Sequence, residues 1–224
     1  KEAFQTANKK LNLLSSITRH DILNHLTALL GYLELSQDMI TDPKLLEIIK
    51  KEQNAADAIT RNIEFTRNYQ DIGVKSPVWH DLVRQYNDIR STFHHPSITL
   101  HSDLEHVEVY ADPLFPLICQ NLIDNSLRHG EHVKNIRFKS IEKGEDLILE
   151  YCDDGIGIQD SEKEKIFERG YGKNTGMGLF LSREILAITN LVMQETGTFG
   201  KGVKFIIIIP KDSYRFQESG IIPE

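Results

Sequence analysis

The chain is poor in cysteine. Its two, Cys119 and Cys152, stand far apart and show neither metal-ligand spacing nor a disulfide framework. Both read as small apolar residues in a reducing compartment. No run of apolar residues is long enough to cross a membrane; the longest, Phe205–Ile209, suits a buried strand. A secretory signal pattern is absent. So is an excess of positive charge: 33 acidic against 26 basic residues give a formal charge of −7, which argues against a nucleic-acid partner. No Gly-x-x-x-x-Gly-Lys-Ser/Thr occurs, so a Walker-type phosphate loop is excluded. Between Lys1 and Gln70 there is one glycine, Gly31, and one proline, Pro43.

That scarcity of breakers marks a helical region. Leu11, Leu14, Ile17, Ile22, Leu26, Leu29, Leu30 and Leu33 recur at helical spacing and predict one helix from Lys1 to about Met39. Thr41-Asp42-Pro43 supplies a break, a cap and a first-turn proline. A second helix, Lys44 to Gln70, carries Leu45, Ile48, Ile49, Ala55, Ala58, Ile59, Ile63 and Phe65 on one side. A short turn makes the pair antiparallel. Two helices have too little core alone, so a homodimeric four-helix bundle is expected rather than a pair packed only on its own C-terminal domain. Residue 1 is already within a helix-like stretch, so a fragment of a longer protein is expected.

Period and composition change at 71–77, which reads as a linker. Beyond it the chain alternates strands and helices. Strands are expected at Val78-Trp79, Ser97–Ser102, Val107–Tyr110, Lys134–Ile141, Asp146–Tyr151, Leu191–Glu195 and Val203–Ile209. Helices are expected at Asp81–Phe93, Leu114–His129 and Thr175–Thr189, with a loosely held tail after Pro210. The expected class is α+β: a helical hairpin over residues 1–72, then an α/β sandwich over residues 73–224 with one sheet covered on one face.

Three clusters in the second part carry chemistry. Cys152-Asp153-Asp154-Gly155-Ile156-Gly157 follows the strand ending at Tyr151. Gly155 and Gly157 allow a tight corner and close ligand approach, leaving the Asp153 carboxylate where it can accept from an exocyclic amine such as that of adenine. Asn121 and Asn125 lie one helical turn apart; amide oxygens can ligate Mg²⁺, and Arg128 can reach a phosphate oxygen. Thr175-Gly176-Met177-Gly178-Leu179 opens a helix, whose free N–H groups suit phosphate. Ile166-Phe167 and Gly170-Tyr171-Gly172 before it read as an anchor and hinges of a lid. In the first helix, His20 has an acid beside it, Asp21, and an amide at i+4, Asn24. The acid can orient the imidazole.

Taken together, the order and spacing of these clusters resemble sensor histidine kinases and their ATP-binding domain, which is shared with gyrase, Hsp90 and MutL. Asn121–Asn125 resemble the N box, Asp153–Gly157 the first glycine box, Ile166-Phe167 the F box, and Thr175–Leu179 the second glycine box. The resemblance implies that Asp153 holds the adenine amine, that Asn125 is the Mg²⁺ ligand, and that Asn121 lies beside metal and phosphates. Arg128 stands where many members carry a lysine. His20 resembles the phospho-acceptor of His-Glu-Leu-Arg-x-Pro; here Asp21 replaces Glu, Leu23 replaces Arg, and His25 stands where Pro would be. The implied activity is ATP-dependent phosphorylation of His20, then transfer to the receiver domain of a response regulator. Asn24 resembles the Thr or Asn that holds a hydrolytic water in related regulator phosphatases. The expected setting is the cytoplasm, without membrane contact in this stretch, a membrane sensor being compatible with the full-length protein. A dimeric scaffold or regulator phosphatase with little kinase activity is the alternative, and an ATP-gated clamp is the third reading.

Overall fold

A computed structural model of the chain describes residues 2–171 and 176–217, with side chains from Ser15 onward. It divides into two compact units, Lys1–Gln70 and Asp71–Glu224.

The first unit is a helical hairpin of α1 (Glu2–Met39) and α2 (Pro43–Asp71). Asp42 caps α2 by accepting from the Lys44 amide at 2.9 Å. The helices run antiparallel: Gln53 donates to Gln37 at 3.3 Å, and Arg19, near the middle of α1, donates to Gln70 at the far end of α2. Among the described side chains of this unit, only Leu26, Ile49 and Ala56 are buried. Ile17, Ile22, Leu29, Leu35, Leu45, Ile48 and Ile59 remain exposed, which is a long apolar surface for one hairpin.

The second unit is built on β1 (Val78–Asp81), α3 (Leu82–Thr92), β2 (Thr99–Asp103), β3 (Val107–Ala111), α4 (Phe115–His129), β4 (Asn135–Lys143), β5 (Asp146–Asp153), a 3-10 turn (Lys165–Phe167), α5 (Gly178–Ala187), β6 (Val192–Glu195), β7 (Lys204–Ile209) and β8 (Tyr214–Phe216). Asp81 opens α3 as its cap, accepting from the Arg84 amide at 3.0 Å. The main sheet has the order β2-β4-β5-β7-β6, with β2 and β4 parallel and the other pairs antiparallel.

Register explains the core. On β5, Leu147, Leu149, Tyr151 and Asp153 are buried at alternate positions. Their partners include Phe138 on β4 and Phe205, Ile207 and Ile209 on β7, all buried on the same face. Phe138, Tyr151 and Phe205 lie side by side with ring centroids 5.1 and 6.5 Å apart. Each well-placed aromatic pair contributes about 0.5–1.5 kcal/mol beyond its area. Tyr86 of α3 packs edge-on against Phe138, and the Tyr151 hydroxyl donates to the Leu122 carbonyl of α4. The helices therefore cover this face. The other face is polar in part, with Arg137–Asp103 and Lys204–Glu150 ion pairs.

Three expectations are corrected. Among the described residues there is not one sheet but two: β1-β3-β8 form a separate antiparallel sheet of three strands. The chain after Pro210 is not loose as far as Gln217. β8 pairs with β3, Arg215 binds Glu108 at 2.6 Å and stacks over Trp79, and Gln217 donates to Asp81. A strand of three residues is too short for hydrophobic alternation to show, and these holds are all long-range. The third helix also begins at Gly178 rather than Thr175, and ends at Ala187 rather than Thr189.

Candidate nucleotide and phospho-acceptor sites

Asp153 is the last residue of β5. The two-residue period that buries Leu149 and Tyr151 turns its side chain inward too, leaving it 8% exposed. Its Oδ1 accepts from the amides of Gly155 and Val203, each at 3.0 Å, and its Oδ2 from the Ser126 hydroxyl. The corner that follows is close-packed. A Cβ on Gly155 would lie 2.6 Å from the Gly130 carbonyl at the end of α4, and Gly157 turns with φ 76°. Asp154 points elsewhere: it accepts from the amides of Lys134 and Asn135 and from the Asn135 side chain. Burial pushes the Asp154 carboxyl up, but these hydrogen bonds outweigh it and hold it below the usual range.

A contributor not recognised from sequence sits behind this corner. Gly202 has φ 95°, and a Cβ there would lie 1.9 Å from the Asp153 carbonyl. Only glycine lets the 200–203 turn close on Asp153 and deliver the Val203 amide to its carboxylate. The Gly200-x-Gly202 spacing, which repeats Gly155-x-Gly157, was the available signal.

α4 buries Phe115, Ile118, Cys119, Leu122, Ile123 and Ser126, which places Asn121 and Asn125 at the edge of its core face. Asn121 donates through Nδ2 to the Gly178 carbonyl at 3.1 Å and to Ser182 Oγ at 3.2 Å. It thus ties α4 to the first turn of α5, where Gly178 and Leu179 lie. Asn125 has a buried Nδ2 with no hydrogen-bond partner among the described residues. Arg128 is exposed and pairs with Asp124 at 3.5 Å. Phe167 is buried, edge-on to Phe205 at 6.2 Å and with the Arg183 guanidinium 3.5 Å from its ring centre. It anchors the chain between the glycine corner and α5. The Gly176 carbonyl accepts from the Gly170 amide at 3.2 Å. The cap of α5, Met177, supplies no side-chain hydrogen bond to the first turn. Thr175, with the hinge at Gly172, lies outside the described residues.

Burial pushes the Cys119 thiol up to about 12; burial with the neighbouring Glu150 does the same for Cys152. Both are inert at neutral pH. Among the described residues no group of three or more His, Cys, Asp or Glu side chains could hold a metal ion, so a divalent cation here would rest on amide and ligand oxygens.

In the first unit His20 is exposed mid-way along α1. Its Nδ1 lies 3.4 Å from Asp21 Oδ1 and 3.3 Å from Asn24 Nδ2. Both neighbours approach the same ring nitrogen but call for opposite tautomers, since the Asn24 amide nitrogen can only donate to Nδ1 and the Asp21 carboxylate can only accept from it. A proton on Nδ1, donated to the Asp21 carboxylate, leaves the lone pair on Nε2.

Residues 112–213 match the family model for the histidine kinase-, DNA gyrase B-, and HSP90-like ATPase. The chain is 30% identical to Sensor protein CitS of Bacillus subtilis (strain 168), over 88% of this chain and 35% of CitS. It is 27% identical to the signal transduction histidine-protein kinase ArlS of Staphylococcus aureus, over 84% of this chain and 46% of ArlS. The chain thus spans less than half of either relative. Its fold is similar to that of full-length ShkA crystallised with AMPPNP, with a TM-score of 0.61 at 15% identity, over 88% of this chain and 45% of that one. Among the described residues no helix is long and apolar enough to cross a membrane. The family match and the relatives support a sensor histidine kinase core, and the fold agrees with it.

Proposed function

We propose that the second unit binds ATP at Asp153 and that the γ-phosphoryl group passes to His20, which then supplies an aspartate on the receiver domain of a response regulator. The observation that carries this is the buried Asp153 carboxylate, fixed by Gly155, Val203 and Ser126 at the mouth of a glycine corner. It is an acceptor for the adenine amine. The triphosphate would meet Arg128 and the amides at the start of α5, where the helix end favours anions. Asn121 keeps α5 against α4. Mg²⁺ suits Asn125, whose amide nitrogen is orphaned and whose oxygen is the hard donor such an ion needs. When bound it would neutralise phosphate charge. At the acceptor, the Nε2 lone pair of His20 forms the new N–P bond while the bond from γ-phosphorus to the bridging oxygen breaks, releasing ADP. Asp21 stabilises the proton held on Nδ1. Positioning and charge neutralisation supply most of the acceleration in such transfers. The test is incubation with γ-labelled ATP and Mg²⁺: acid-labile, alkali-stable label on the protein supports the kinase, whereas phosphate release without labelling indicates an ATPase.

The exposed apolar residues of α1 and α2 call for a second copy of the hairpin, closing a two-fold four-helix bundle. Sedimentation at micromolar concentration is expected to show a dimer; a folded monomer would contradict it.

The Asn24 amide, on the face of His20, also suits a water held toward an aspartyl phosphate on a docked regulator. Asn24→Ala is expected to leave His20 labelling largely intact and to slow decay of the phospho-regulator in the presence of ADP. Equal decay with parent and variant would remove this second activity.

A further inference from the structure

The core face of α4 carries one hydroxyl. Ser126 is in phase with Leu122, Ile123 and Cys119 and is buried with them. It sits between two other buried polar groups: the Tyr151 hydroxyl at 2.7 Å and Asp153 Oδ2. Tyr151 OH also reaches the Leu122 carbonyl at 3.1 Å. Proton accounting gives this chain a direction. An ionised carboxylate can only accept, so the Ser126 proton goes to Asp153. Tyr151 donates to the Leu122 carbonyl or to the Ser126 oxygen, and every group is satisfied either way. A carboxylate has about four acceptor sites. Oδ1 uses two on the Gly155 and Val203 amides, and Oδ2 uses one on Ser126. One acceptor site remains, on Oδ2, with the plane of the carboxylate held at both ends.

We propose that Ser126 is the positioning residue that sets base specificity: by holding Asp153 Oδ2 it leaves a single lone pair for a 6-aminopurine nucleotide and opposes a 6-oxopurine. The proposal rests on the reading that Asp153 receives the base. A 6-amino group brings a donor to that lone pair. A 6-oxo group brings a second acceptor, and the carboxylate cannot rotate away from it while Ser126 and the two amides hold its plane. A buried acceptor left facing an acceptor is discriminated against more strongly than one that merely loses a contact. Tyr151 lies one bond further out and steadies Ser126 without touching Asp153.

The experiment titrates ATP and inosine triphosphate, each with Mg²⁺, against parent, Ser126→Ala, Ser126→Thr and Tyr151→Phe proteins, with thermal unfolding of each recorded. The parent is expected to prefer ATP. Ser126→Ala is expected to lower that preference about tenfold, because an oriented hydrogen bond to a charged group is lost. The change should come both from weaker ATP binding and from tighter binding of inosine triphosphate, whose 6-oxo group then faces a carboxylate free to turn away. Ser126→Thr keeps the hydroxyl and should keep the preference; Tyr151→Phe leaves the Ser126–Asp153 bond and should change it far less. An unchanged preference in folded Ser126→Ala, a parallel loss for both nucleotides, or loss of preference in folded Ser126→Thr would each overturn the proposal while leaving ATP binding at Asp153 standing. Failure of the parent to bind ATP would overturn that reading itself, and the proposal with it.

Discussion

His20→Gln is expected to abolish labelling of the protein by γ-labelled ATP while ATP still binds. The substitution is chosen for what it keeps. Glutamine sustains the helix and can place an amide near the position of the imidazole Nε2, but the lone pair of an amide nitrogen is delocalised into its carbonyl and cannot attack phosphorus. The described partners of Asp153 are Gly155, Val203 and Ser126, so nucleotide affinity should be close to that of the parent. The loss should be complete rather than partial because the change removes the accepting atom, not a group that assists it. Asp21 approaches the Nδ1 side of His20. His25 is the rival acceptor, and substantial labelling of the variant, mapped to His25, would sink the assignment.

Asp153→Asn should cripple the other half of the reaction. The asparagine oxygen can still accept from the Gly155 and Val203 amides, so the glycine corner should keep its shape. The new amide nitrogen then takes the place of Oδ2. It presents a donor where an adenine amine also presents a donor, and it faces the Ser126 hydroxyl, which must turn to accept. Loss of a charge-assisted hydrogen bond together with an unmatched donor should weaken ATP binding on the order of a hundredfold. Titration with ATP, beside a thermal melt showing that the variant is folded, measures it. Binding as tight as the parent's would reduce Asp153 to a turn residue.

The positions of these two residues were readable because each sits on a strong local pattern. Asp153 ends an alternating strand and precedes Gly-x-Gly. His20 rides a helix whose apolar stripe runs past it, with its acid and amide partners at fixed helical offsets. The asparagine pair and the glycine-opened helix were legible for the same reason. What went unread depends on residues far apart in the chain. β8 is held by Glu108, Trp79 and Asp81, none of which a local window sees. Gly202 matters only because the Asp153 carbonyl lies where its side chain would be. Ser126 looks like a tolerated helix residue until the β5 register brings Tyr151 and Asp153 to its hydroxyl. Arg183 gives no sign in sequence that it stacks on Phe167. The second sheet was missed because its strands come from the two ends of the unit, Val78–Asp81 and Tyr214–Phe216, and meet only across β3.

The most direct measurement is the site of phosphorylation after incubation of the parent chain with γ-labelled ATP and Mg²⁺, quenched in alkali and mapped by mass spectrometry of peptides kept above neutral pH. Label on His20, discharged by acid and absent from Asp153→Asn, is the result the account predicts; label on any other residue would contradict it.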